Sequence, residues 1–400
     1  MLRFTTAGES HGKAVVAILE GIPAGWDFER RALPHVNAEL KRRQGGYGRG
    51  GRMAIESDQV EVLGGLRNGK TLGSPLILSL VNRDARIDKA PSVTQVRPGH
   101  ADFAGCMKYG TRDARDVLER ASARETAARV MVGAVCASLL AEFGIQCFGH
   151  LIALKEIEAQ PIEWGSVQGS AEEWEQINAI RSASSFNSID PSRETSMREA
   201  IDAAKQAGDT LGGLIEIAVL GLPPGLGNNT QWDRKLDAQI AAACMSVQAM
   251  KSVEIGLGRD VASRLGSQVH DPMHLLAEGE LSTNANAPLP LRRASNNAGG
   301  IEGGMTTGEP LIVRVAMKPI ATLMQPLPTV DLATWQSADA ARERSDTCAA
   351  PAASVVLENV VAVPLLAALL EKCGGDSLPE LQRNFAGYIE QLRAMGKPHE

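Results

Sequence analysis

Apolar residues recur along this chain in two rhythms, one of strands and one of helices. Residues 14–19, 76–81, 214–220 and 311–317 are short β-rich apolar runs set between Gly, Pro and charged positions, the pattern of strands with at least one buried face. Residues 1–6 read as a further strand, and 53–58 with 59–63 alternate like a pair. The longer rhythm predicts helices over 28–43, over 197–207 with Gly208 as the stop, over 236–250, and over 352–370, where Pro364 should introduce a kink. Residues 120–143 dominate the rest. Met131, Val132, Ala134, Val135, Cys136, Leu139, Leu140 and Phe143 leave that helix almost no polar side, which places it inside the protein. Ser122 and Glu125 have the spacing of a capping box, and Gly144 stands where a left-handed cap would end the helix.

The pattern dissolves between 149 and 195 into Glu, Gln and Ser, which predicts a surface excursion from what otherwise reads as a single domain, 1–400. Residues 214–227 echo residues 14–25, each an apolar strand running into a Gly/Pro turn, the trace an internal duplication would leave.

Composition narrows the choice. A chain of 400 residues with 44% hydrophobic content can bury a large core. Its net charge is −6, and only 41–52 is notably basic, which excludes a general nucleic-acid binder. The absence of an uninterrupted apolar run of about eighteen residues argues against a membrane span and for a cytoplasmic protein. Cys106, Cys136, Cys147, Cys244, Cys348 and Cys373 are scattered with no C-x-x-C pair, so they read as small core residues, with neither zinc nor any other metal indicated.

Candidate chemistry sits in the loops. His11 lies between Gly8 and Gly12, and His100 follows Arg97-Pro98-Gly99 with Asp102 two residues on, close enough to orient the ring. In 41–52, glycines alternate with basic side chains, a loop able to wrap phosphate or carboxylate groups but lacking a Walker ending. Arg120, Arg124 and Arg129 crowd the start of the apolar helix, whose dipole already favours an anion. Either something negative docks there or Asp116, Glu119 and Glu125 neutralise the arginines. Residues 295–308 offer glycine backbone against which a flat ring could lie, and Asp346 stands close to Arg342 and Arg344. Together these suit a small polyanion beside a flat cofactor, with proton transfer among imidazole and carboxylate groups.

Six of these segments resemble the signatures of the chorismate synthase family, in sequence order. They are Gly8-Glu-Ser-His-Gly12, Arg43 with the Gly-Tyr-Gly-Arg49-Gly loop, Arg97-Pro-Gly-His-Ala-Asp102, Arg120-Ala-Ser-Ala-Arg-Glu-Thr126, Asn297-Ala-Gly-Gly-Ile-Glu-Gly-Gly304 and Arg344-Ser-Asp-Thr-Cys348. The resemblance implies an α+β fold, a β-α-β sandwich with a helical layer between two antiparallel sheets, assembled as a homotetramer. It implies a lyase that converts 5-enolpyruvylshikimate 3-phosphate to chorismate and phosphate by 1,4 anti-elimination, with reduced FMN and no net redox change. Carried over by similarity, His11, His100 and Asp346 become the proton-handling groups, and Arg43, Arg49, Arg124 and Arg344 the clamps on phosphate and carboxylates. The family's flavin contacts fall on Arg120, Ala121, Ser122, Gln248, Ala249, Gly303, Lys318, Pro319, Ile320, Ala321, Thr322 and Arg344. Ala121 departs from the serine frequent in relatives, so no hydroxyl contact is expected there. The sequence leaves open whether the chain reduces its flavin with NADPH or relies on an external flavin reductase. Two rivals remain distinguishable: a flavin oxidoreductase would consume reductant stoichiometrically, and a polyanion-binding module would need neither histidine.

Overall fold

The computed structural model describes residues 1–50, 56–162, 164, 171–343 and 345–397. Strands β1 (Arg3–Ala7), β2 (Ala14–Glu20), β3 (Glu61–Gly64) and β4 (Leu76–Val81) form an antiparallel sheet in the order β1-β2-β4-β3. Alternation does the sorting: Val15, Ala17 and Leu19 on β2, with Leu76, Leu78 and Leu80 on β4, turn inward. A second antiparallel sheet holds β5 (Gln146–Leu154), β6 (Ile157–Glu158), β7 (Gly213–Leu220), β8 (Met250–Ile255) and β9 (Leu311–Met317), in the order β8-β9-β7-β5-β6. Of the strand expected at 53–58, residues 53–55 lie outside the described residues and 56–58 are not strand; β3 pairs with β4 instead.

The main helices are α1 (Leu33–Gln44), α2 (Asp102–Tyr109), α3 (Arg115–Ala121), α4 (Glu125–Ala141), α5 (Ala171–Ala183), α6 (Glu194–Gln206), α7 (Leu236–Met245), α8 (Ala350–Cys373) and α9 (Leu378–Met395). Helix α4 packs on β1, β2 and β4; α8 packs on β5 and β7; and the two helices pack on each other beside α1. Close approach explains two glycines. A Cβ on Gly133 of α4 would lie 2.1 Å from the Asn359 carbonyl oxygen of α8, and one on Gly149 of β5 would lie 2.5 Å from that of Ser354. Helix α8 alone among the described residues is long and apolar enough to cross a membrane; 83% of its most apolar window is buried inside the protein, so it is a core helix.

Several expectations need correction. Helix α4 starts at Glu125 with Arg124 as its cap residue, and no side chain caps it. The Ser122 hydroxyl donates to Ser10 Oγ, while the Glu125 carboxylate accepts from Thr6, Arg129 and Gln248. Tertiary partners have taken both halves of the capping box. The helix expected over 236–250 ends at Met245, because Ala249 turns into the left-handed region (φ 72°) and Met250 opens β8. The stretch 149–195 is less peripheral than its composition implied. Its first residues form part of β5, Trp164 and Phe186 are buried, and the Arg181 guanidinium donates to Glu358 of α8 at 3.0 Å.

Candidate active site

A cavity of about 460 Å³ opens where loops from both sheets converge on the junction of α3 and α4. Ser10 and His11 come from the turn between β1 and β2, and Arg43, Arg49 and Gly50 from the end of α1 and the loop beyond it. Gly99 and His100 precede α2, Ala121 to Arg124 link α3 to α4, and Gln248 with Ala249 turns into β8. Lys318 to Thr322 leave β9, and Ser345 with Asp346 leads into α8. His11, His100 and Asp346 therefore share one cavity with Arg43, Arg49 and Arg124 and with most of the expected flavin contacts.

Each imidazole is held by a buried carboxylate. His100 Nδ1 bonds Asp102 Oδ1, and Arg97 locks that carboxylate from the other side through Nε at 2.8 Å and Nη2 at 3.0 Å. Burial works against ionisation of Asp102, but the hydrogen bonds from His100 and Arg97 hold its carboxyl well below the usual range. His11 Nδ1 lies 3.0 Å from both carboxylate oxygens of Glu119, and the His11 backbone N–H donates to Oε2 at 2.8 Å. Asp346 takes a different partner: its Oδ2 pairs with Arg49 Nη1 at 2.9 Å, and its Oδ1 accepts from the Gly50 N–H at 2.6 Å.

Two of the arginines share one carboxylate, and Glu56 approaches Arg124 at 3.8 Å as well. Asp58, fully buried, serves two of them at once, accepting from Arg124 Nη1 at 2.7 Å and from Arg43 Nη2 at 3.1 Å. Burial pulls the Arg43 guanidinium down to about 10; Asp58 opposes that shift, and the like charges of Arg124 and Arg49 add to it. Arg124 Nη2 and Arg43 Nε are buried without a hydrogen bond, and so is the acceptor Gln248 Oε1. The Lys318 ammonium donates to the Gly99 carbonyl oxygen, and its pKa is lowered by burial and then by Lys251. Such a wall can take an anion with several oxygens, and its unmatched donors and acceptor fit a ring with polar edges.

Three expected contacts stand apart. Arg120 turns its guanidinium to the carbonyl oxygens of Gly8 and Thr6, outside the cavity wall. Gly303 sits in the tight turn between Ile301–Glu302 and Met305–Thr306, also away from the wall. Arg344 lies outside the described residues. Sequence reasoning missed Asp58 altogether, and it cast Glu119 only as a partner for arginines. Glu119 does meet Arg115 at 3.3 Å, but its main engagement is with His11.

Comparisons with known proteins point to one family. A family model described as chorismate synthase matches residues 2–370. The sequence is 51% identical over 408 residues to the chorismate synthase of Trichlorobacter lovleyi and 49% identical over 411 residues to that of Geobacter metallireducens, each match covering 98% of this chain and all of the relative. A crystal structure of a chorismate synthase superposes with a TM-score of 0.78 at 41% identity, covering 98% of both chains. The chain belongs to the chorismate synthase family, the lyases that convert 5-enolpyruvylshikimate 3-phosphate to chorismate and phosphate with reduced FMN on the shikimate route to aromatic amino acids.

Proposed function

We propose that His11, His100 and Asp346 handle the protons of this elimination, while Arg43, Arg49 and Arg124 grip the substrate's phosphate and carboxylates. The reading extends to Arg344 by the family pattern. The observation that carries it is the single cavity these described side chains line together. Reduced FMN, when bound, supplies transient electron density that eases departure of phosphate from the allylic carbon. Ala121, Ser122, Gln248, Ala249 and Lys318 to Thr322 would hold it, with Gln248 Oε1 as an acceptor lacking any other hydrogen bond. Arg120 contributes by fixing the loop that carries His11, and Gly303 belongs to the flavin contacts by family pattern alone.

His100, oriented through Nδ1 by Asp102, offers its other nitrogen to the leaving phosphate. Phosphate departs more easily once a proton offsets its charge. Guanidinium pairs suit oxyanions better than ammonium groups because they donate two parallel hydrogen bonds. We read the architecture as a β-α-β sandwich with duplicated halves, and the working form as a cytoplasmic homotetramer.

The decisive assay is anaerobic incubation with dithionite-reduced FMN and 5-enolpyruvylshikimate 3-phosphate, following chorismate and phosphate release. His11→Ala and His100→Ala should fold normally and lose about a hundredfold or more in turnover. A variant that kept near wild-type turnover would strip that histidine of its role. Size-exclusion chromatography with light scattering checks the tetramer.

A further inference from the structure

Glu119 of α3 holds the turn that carries His11 through both its backbone and its side chain. The Glu119 carbonyl oxygen accepts from the Ser10 N–H at 2.9 Å, and its carboxylate takes both the His11 backbone N–H and His11 Nδ1. Glu119 is only 3% exposed, and Arg115 braces it from behind through Nη1 at 3.3 Å while its Nη2 reaches Glu343 of the cavity wall at 2.7 Å. Burial disfavours the charged form of Glu119, but hydrogen bonds from His11 and Arg115 hold its carboxyl below the usual range. An ionised carboxylate can only accept, so the nitrogen facing it must be the donor. Nδ1 therefore carries a hydrogen whether the ring is neutral or charged. The other nitrogen, Nε2, has Asp84 Oδ2 at 3.7 Å, beyond hydrogen-bond distance.

We infer that Glu119 is the positioning residue of His11: it fixes the ring as an Nδ1–H donor and leaves Nε2 as the nitrogen that takes and releases the working proton. This rests on the proton-handling role proposed above for His11. A purely structural Glu119 would tie down the turn but would not decide which ring nitrogen titrates. The arrangement parallels that of His100 and Asp102, so both histidines present their Nε2 atoms.

The test is imidazole ¹⁵N NMR on the full chain, with and without FMN, taking as His11 the resonances absent from His11→Asn. Nδ1 should stay protonated across the titration while Nε2 alone changes. Glu119→Gln should lower kcat by about tenfold or more with KM held within about twofold, and Glu119→Asp should recover part of the loss. A neutral His11 carrying its hydrogen on Nε2 overturns the inference, as does wild-type kcat in Glu119→Gln. Should Glu119→Gln fail to fold, the wild-type spectrum decides by itself. If His11→Asn turned over normally, the proton-handling reading would fall. An inactive His11→Asn beside a fully active Glu119→Gln would remove only the role of Glu119.

Discussion

Asp58 carries an unusual load for one side chain. It sits fully buried between Arg43 and Arg124, and no other described carboxylate hydrogen-bonds either of them. Removing one partner from a buried ionic cluster leaves uncompensated charge in a poorly hydrated place. Asp58→Asn should therefore cost about 3–5 kcal/mol in urea denaturation, and a phosphorylated ligand should restore part of that by supplying the missing anion. Equal losses with and without ligand would show that these guanidiniums do not meet the substrate. Asp102 sets a pH dependence. Its folded pKa is depressed, so the stability it contributes is present above its ordinary pKa of about 4 and is lost as pH falls toward the folded value. Acid titration of unfolding should thus be shallower below about pH 4 in Asp102→Asn than in the parent. At this scale the sequence was legible where chemistry is local: His11 stands out between Gly8 and Gly12, His100 follows Pro98-Gly99, and Asp102 lies two residues from the ring it holds. Asp58 and Glu119 were hidden because their partners arrive from elsewhere in the chain, 66 residues away for Asp58 with Arg124 and 108 for Glu119 with His11.

Among the elements, the crossing of α4 and α8 governs how closely the two sheets can approach. Gly133 permits that crossing, since an added Cβ would meet backbone rather than a yielding side-chain tip. Gly133→Ala should destabilise the chain by about 1–3 kcal/mol or more, read from chemical denaturation, with the cavity residues themselves unchanged. A neutral result would mean that the helices separate without penalty. Both helices were readable from periodicity, because a helix apolar on all sides can only be buried. Their boundaries were less so. Ser122 and Glu125 have capping spacing, yet Thr6, Arg129 and Gln248 offer Glu125 stronger partners than an exposed cap could. Likewise, nothing in the apolar run 236–250 signals that Ala249 leaves the helical region to shape the cavity wall. The polar composition of 149–195 hid the buried Arg181 for a related reason: paired charges can enter a core without looking hydrophobic.

Across the whole molecule, the cavity gathers loops drawn from most of the chain, from Ser10 to Ala349, and its rigidity comes from the layers beneath. One contact spans nearly that entire length: Asp346 meets the Gly50 N–H across 296 residues of sequence while pairing with Arg49. Asp346 is thus a counter-anion of Arg49 within the wall itself. On the proposed clamp role of Arg49, an oxyanion directed at its Nη1 would compete with that carboxylate, a tethered rival at high local concentration. Small monovalent ions would gain little from such an exchange, whereas a molecule bearing phosphate and carboxylates would reach several guanidiniums at once. Asp346→Asn should accordingly bind the phosphorylated substrate about tenfold more tightly, near 1.4 kcal/mol, even as turnover collapses; isothermal titration would reveal it, and weaker binding would show that the pair never parts. If Arg49 clamps the substrate as proposed, the tether would act as a selectivity gate, trading affinity for discrimination against the abundant simple anions of a cell.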